Sequence, residues 1–223
     1  MAARPAGAAR RVSLRKVIDD EGLAHLRDAD ETLAGLIEER GPLDLEARVR
    51  GRPADPYGAL LRSIVGQQLS VKAARSIYVR LTELFGGRAP TPEELLEADP
   101  EALRSAGLSR AKVTYLRSLA EHVISGELEL DRLDELSDEA IARELVAVKG
   151  LGQWSVDMFL IFHLGRPDVL PVGDLGVRRA VERLYGFEEL PSAAELEALG
   201  ERWRPYRSLA SLYLWESLDN APV

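Results

Sequence analysis

The chain contains no cysteine. Disulfides, thiolate catalysis, Cys-ligated zinc and Cys-ligated iron–sulfur clusters are therefore excluded. Its three histidines, His25, His122 and His163, stand far apart and offer no His-rich metal site. No apolar run approaches the ~20 residues that span a bilayer, so a membrane partner is not expected. Strand signals are sparse: no alternation of four or more residues ends in a hairpin turn. Positive charge is also short. The formal net charge is −8, whereas nucleic-acid binders usually present a basic face. The acids are unevenly spread, however: residues 145–183 hold five basic residues against four acids. The stretch 1–16 carries Arg4, Arg10, Arg11, Arg15 and Lys16 with no acid and lacks the apolar core of a secretory signal. Residues 1–14 read as a basic flexible tail, and a cytoplasmic location is expected.

What is present is helical punctuation. Hydrophobic residues make up 46% of 223 residues, enough to build a sizeable core. Thr91-Pro92-Glu93-Glu94 and Ser192-Ala193-Ala194-Glu195 are capping boxes. Ser70 is placed to cap a helix over 71–85 that stops at Gly86, and Ser137 to cap one carrying Ile141, Leu145 and Val148 on one face. At ~10–14 residues per helix this predicts an all-α protein of nine to eleven helices. Residues 52–56 read as a connector, and residues 165–173, with two prolines and two glycines, as a second break.

Three motifs carry chemistry. Val148-Lys149-Gly150-Leu151-Gly152-Gln153-Trp154-Ser155 lies between two apolar segments, 141–148 and 156–164. Its two glycines permit a tight hairpin with positive φ and close backbone approach. The second helix then opens with unpaired amides at the positive end of its dipole, able to hold a phosphate without Lys or Arg. On these residues alone an ordinary αα-hairpin turn reads equally well. The second motif is Leu170-Pro171-Val172-Gly173-Asp174-Leu175-Gly176. An aspartate opening a helix is usually just its N-cap. This one follows Trp154 by twenty residues, so one helix and a loop can return it beside the hairpin. A carboxylate there suits stabilising an oxocarbenium ion or orienting a water. The third is Ile64-Val65-Gly66-Gln67-Gln68-Leu69-Ser70, a bend between apolar helices. It suits a wedge into a duplex, and equally a polar turn.

Together these residues resemble the helix-hairpin-helix DNA glycosylases, in particular the 3-methyladenine DNA glycosylase II family. The likeness runs from about Pro56 to Glu216 and includes residues 201–208 leading to Trp215. It implies a two-lobed helical fold with a cleft between the lobes, formed by a module over 15–223 with its helix-hairpin-helix at about 140–164. By position Asp174 matches the catalytic aspartate, and Trp154, Met158 and Trp215 the base pocket, the two tryptophans sandwiching a flipped base. Gln68 matches the wedge. Gln67, Leu69, Gly150, Leu151, Gly152, Gln153 and Ser155 complete the DNA-binding set. Carbonyls of Val146, Val148 and Leu151 match those that hold an alkali ion (Na+ or K+). No cofactor is otherwise implied, and no iron–sulfur cluster. The bifunctional members carry a lysine where Trp154 stands. The resemblance thus implies a monofunctional enzyme of base excision repair. It would act as a monomer on double-stranded DNA containing damaged bases such as 3-methyladenine and 7-methylguanine. A non-catalytic DNA-binding module, or a glycosylase for other damaged bases, are the alternatives.

Overall fold

The computed structural model describes residue 17 and residues 19–44 and 52–218. The basic tail expected at 1–14 lies outside the described residues. Among those described there is no strand, and twelve α-helices follow in order. They are α1 (Asp20–Ala29), α2 (Glu31–Arg40), α3 (Pro56–Gly66), α4 (Val71–Glu83), α5 (Pro92–Glu97), α6 (Pro100–Ser105), α7 (Arg110–Ser125), α8 (Asp138–Ala147), α9 (Gln153–Phe159), α10 (Leu175–Tyr185), α11 (Ala193–Gly200) and α12 (Arg207–Ser217). Short 3-10 turns cover Leu130–Glu135 and Glu201–Trp203, and α9 widens into a π-helical turn over Leu160–Leu164. The count exceeds nine to eleven because α5 and α6 have six residues each, far below the usual length.

Local signals place most helix starts. Thr91 and Ser192 form reciprocal capping boxes with Glu94 and Glu195. Ser70, Ser109 and Ser137 each accept the amide three residues on. The helix after Ser70 stops at Glu83 rather than 85, and the chain then turns through Gly86 (φ 71°) and Gly87 (φ 85°).

The closest packing falls into two groups. In one, α3 packs on α4, α7 and α9, while α7 also packs on α5 and α6, and α8 on α9. In the other, α1, α2 and α10 pack on α12. A continuous apolar core runs through both. Asp30, between α1 and α2, pins the second group: its carboxylate accepts from Tyr185 Oη (2.9 Å), Trp203 Nε1 (2.8 Å) and the amides of Thr32 and Leu33. Four donors satisfy a side chain that is only 4% exposed, as burial of a carboxylate demands. No helix among the described residues is long and apolar enough to cross a membrane.

Candidate active site

The loop before Asp174 is built by the start of α12. Ser208 Oγ donates to the Arg166 carbonyl (2.7 Å) and accepts from the Val169 amide (3.0 Å). Arg207 grips Asp168 through Nε to Oδ1 (2.6 Å) and through Nη2 to the backbone carbonyl (2.9 Å). The chain then turns at Pro171 and delivers Asp174 as the N-cap of α10, where Oδ1 accepts from the Val177 amide (2.8 Å). The N-cap role is real but does not use up the carboxylate. Trp154 Nε1 donates to Oδ2 at 2.7 Å and Trp215 Nε1 to Oδ1 at 2.9 Å. Asp174 is 7% exposed. A carboxylate has about four lone-pair sites. With three taken by fixed donors, the side chain is held rigidly. Gly176 allows this closeness: a Cβ there would lie 3.0 Å from Asp174 Oδ1 and 3.1 Å from the Trp215 ring.

The tryptophans differ from the sandwich the resemblance implies. Trp215 is fully buried, with its ring stacked on Phe162 at 5.5 Å; no open face remains for a base. Trp154 is half-buried and Met158 buried. Both indoles instead spend their N–H groups on orienting Asp174. A shallow pocket beside them is lined by Met158, Phe162 and His163 from α9 and the π turn, by Ser63 of α3, and by Arg52. The Arg52 guanidinium lies 3.9 Å above the Phe162 ring. Ser63 Oγ and His163 Nδ1 are buried without hydrogen-bond partners, and burial lowers the His163 pKa. None of these four residues carries a sequence signal beyond its polarity or aromaticity. Asp157 also escapes the sequence reading. It is 5% exposed, accepts from Gln153 Nε2 at 2.8 Å, and is pushed up to a pKa of about 6, first by burial and then by the charge of Asp174. An acid inside an otherwise apolar helical run was the available signal.

The hairpin joins α8 to α9. Gly150 has φ 96°, and a Cβ on it would fall 2.1 Å from Tyr115 Cγ. Gly152 corrects the expectation of positive φ at both glycines: its φ is −116°, and a Cβ there would meet nothing within 4 Å. Gly152 is the N-cap of α9, and no side chain caps that helix. Its first amides are thus left to an outside acceptor. The side chains of Leu151 and Ser155 are buried, and Gln153 is paired with Asp157. What the hairpin presents outward is the backbone at Gly152 together with the exposed residues Lys149 and Gln153.

The bend after α3 separates its two glutamines. Gln68 is exposed and has φ 58°, the one non-glycine residue with positive φ among the described residues. Leu69 beside it is 38% exposed. Gln67 turns inward, its Nε2 donating to the Gly150 carbonyl (2.7 Å) and to Ser155 Oγ (3.1 Å).

This chain is similar to several known proteins. The family described as HhH-GPD superfamily base excision DNA repair protein matches residues 61–205. DNA-3-methyladenine glycosylase 1 of Schizosaccharomyces pombe is 34% identical over 195 residues, covering 86% of this chain and 85% of that protein. Among solved structures, a 3-methyladenine DNA glycosylase of the same yeast in complex with abasic DNA superposes with a TM-score of 0.82 at 33% identity, over 90% of this chain and 98% of that one. A DNA-3-methyladenine glycosidase from Bacillus halodurans gives a TM-score of 0.74 at 40% identity, over 89% of each chain.

Proposed function

The chain belongs to the HhH-GPD superfamily of base excision DNA repair proteins, and from that premise we propose that it is a monofunctional DNA glycosylase releasing alkylated bases. The observation that carries this reading is Asp174, a buried carboxylate fixed by two indole N–H groups and a backbone amide. A carboxylate so held cannot turn away when positive charge develops near it, and pre-set electrostatics of this kind cost no reorganisation during reaction.

In this mechanism the α9 amides around Gly152 and Gln153 bind a phosphate, and Gln68 with Leu69 enters the duplex as the base leaves the stack. Unstacking costs a few kcal/mol, least for damaged or mispaired bases. Alkylation at a ring nitrogen makes the base a planar cation and a better leaving group. Trp154, half-buried and hydrogen-bonded to Asp174, is the aromatic surface left partly open beside that carboxylate, and the face of an indole suits a planar cation. The N-glycosidic bond breaks with its electron pair passing to the base, which departs neutral; Asp174 stabilises the oxocarbenium ion, and water adds at C1′ and gives up a proton to solvent, leaving an abasic site. Trp154 has no amine for a Schiff base, so the strand stays intact.

The carbonyls of Val146, Val148 and Leu151 fit an alkali ion in donor type. Val146 lies in the last turn of α8, where carbonyls lack intrahelical partners, and Val148 O accepts only a backbone amide, from Leu151 (3.0 Å). A bound ion would add a positive charge facing a phosphate. Such an enzyme acts as a monomer in the cytoplasm, and at the nucleoid if the cell is bacterial.

Incubation with DNA methylated by an alkylating agent tests the proposal. Free 3-methyladenine and 7-methylguanine should appear in the supernatant, and strands should break only after alkali. Binding without base release would leave a DNA-binding module.

A further inference from the structure

Helix α3 ends in an unusual way. Its terminal carbonyls have no intrahelical partners, and the residue that turns the chain in the left-handed region is Gln68 rather than glycine. Two carbonyls leading into the turn are taken by one side chain: Lys112 Nζ donates to Val65 O, in the last turn of α3, and to Gln67 O, in the peptide that joins Gln67 to Gln68, both at 2.8 Å. Lys112 comes from the first turn of α7, forty-five residues from Gln67. Burying an ammonium is unfavourable, and desolvation indeed lowers its pKa. A simple helix stop needs no such group, since glycine serves. Here a side chain is kept at the strained position, exposed, and the strain is held by a cation from another helix. Residues in sparse backbone regions persist only where their surroundings over-determine them.

The same helix also shapes the hairpin. Tyr115, one turn beyond Lys112, packs against Gly150 so closely that no Cβ fits. Gln67 closes the triangle through its bonds to Gly150 O and Ser155 Oγ.

We propose that Lys112 is a positioning residue for base extrusion: through the Val65 and Gln67 carbonyls it holds Gln68 in its left-handed turn, and with Gln67 it fixes that wedge relative to the phosphate-binding hairpin. The proposal rests on the glycosylase reading for the identity of the extruded base, but not for extrusion itself.

The test uses the full chain with Lys112→Met, Lys112→Arg, Gln68→Ala and the Met/Ala double variant. Extrusion is read by the fluorescence of 2-aminopurine at the target position, and excision by single-turnover release of 3-methyladenine. Lys112→Met should lower both on paired duplex about tenfold, the scale of a charge-assisted hydrogen bond. The loss should shrink below threefold when the target base lies opposite an abasic gap. Lys112→Arg, which keeps charge and donors, should recover most of it. Because Lys112 acts through Gln68, the double variant should lose no more than Gln68→Ala alone. Equal losses on paired and unpaired targets, or additive losses in the double variant, would overturn the proposal. If thermal unfolding shows that Lys112→Met does not fold, Lys112→Gln, which keeps a donor without the charge, takes its place against the same criteria. A wild-type chain that extrudes 2-aminopurine but releases no methylated base would refute the glycosylase reading and leave the role of Lys112 to be judged by fluorescence. A wild-type chain that neither extrudes nor releases refutes both.

Discussion

Gly150 and Gly152 look interchangeable in the sequence, yet the structure makes opposite demands on them. At Gly150 an alanine must adopt φ near 96° and drive its Cβ to 2.1 Å from Tyr115 Cγ. Left-handed backbone costs an L residue ~1–2 kcal/mol, and overpacking typically ~1–3 kcal/mol. A combined loss of about 3 kcal/mol lowers Tm by roughly 6–12 °C for a chain of this size. At Gly152 the backbone is extended, φ −116°, and a Cβ meets nothing within 4 Å. Alanine is a poorer N-cap than glycine, by up to ~1 kcal/mol, so Tm should fall by no more than about 4 °C. Binding is where Gly152→Ala should act, because the methyl group stands where a phosphate must approach the α9 amides. Loss of hydrogen bonds to a charged group, ~1.5–3 kcal/mol, corresponds to roughly ten- to hundredfold weaker binding. The loss should be equal for damaged and undamaged duplex, since phosphate contacts carry no lesion information. Differential scanning fluorimetry and fluorescence anisotropy at one fixed salt concentration measure both quantities. Wild-type affinity in Gly152→Ala, or wild-type Tm in Gly150→Ala, would refute this account of the hairpin.

Gln68→Gly relieves the left-handed strain, so Tm should be unchanged or up to ~4 °C higher, while excision from paired duplex falls; a variant as active as wild type would remove the wedge role. Asp157 has its pKa raised from 3.8 to about 6, so the native state binds the extra proton. Its contribution is therefore fully favourable below about pH 4 and is lost as pH rises through 6, a difference of at most about 3 kcal/mol. Asp157→Asn should raise stability at pH 7.5 and flatten the pH 4–6 slope in denaturant titrations; a slope identical to wild type would show that Asp157 does not titrate there. Borohydride should trap no covalent protein–DNA adduct, because Trp154 supplies no amine; an adduct through Lys149 or another lysine would contradict the monofunctional reading.

Much of the fold was legible because its signals are local. A capping box such as Thr91–Glu94 involves four consecutive residues and forms wherever that helix starts. The return of Asp174 to Trp154 was legible as a distance along the chain, one helix plus one loop. What escaped depends on tertiary context. Nothing in Gln67-Gln68 says which side chain turns inward; the left-handed turn at Gln68 decides it, and Lys112 on a distant helix holds that turn. Trp215 carries the same aromatic character whether it offers a face to a base or, as here, lies buried against Phe162. Gly152 resembles Gly150 until Tyr115 is in place. Helix α6 is too short for periodicity to announce it.

The central claim is that Asp174 is the catalytic carboxylate, and Asp174→Asn tests it most directly. Asparagine is as good an N-cap as aspartate and can keep the bonds from Val177 N and Trp215 Nε1, so the chain should fold and bind DNA as before. Its amide group would face the Trp154 N–H with the wrong polarity, and the negative charge is gone. Single-turnover release of 3-methyladenine should fall by about two orders of magnitude or more, the scale of a positioned electrostatic catalyst, at unchanged affinity for undamaged duplex. Release at a near-normal rate by a folded, DNA-binding Asp174→Asn variant would take Asp174 out of the mechanism.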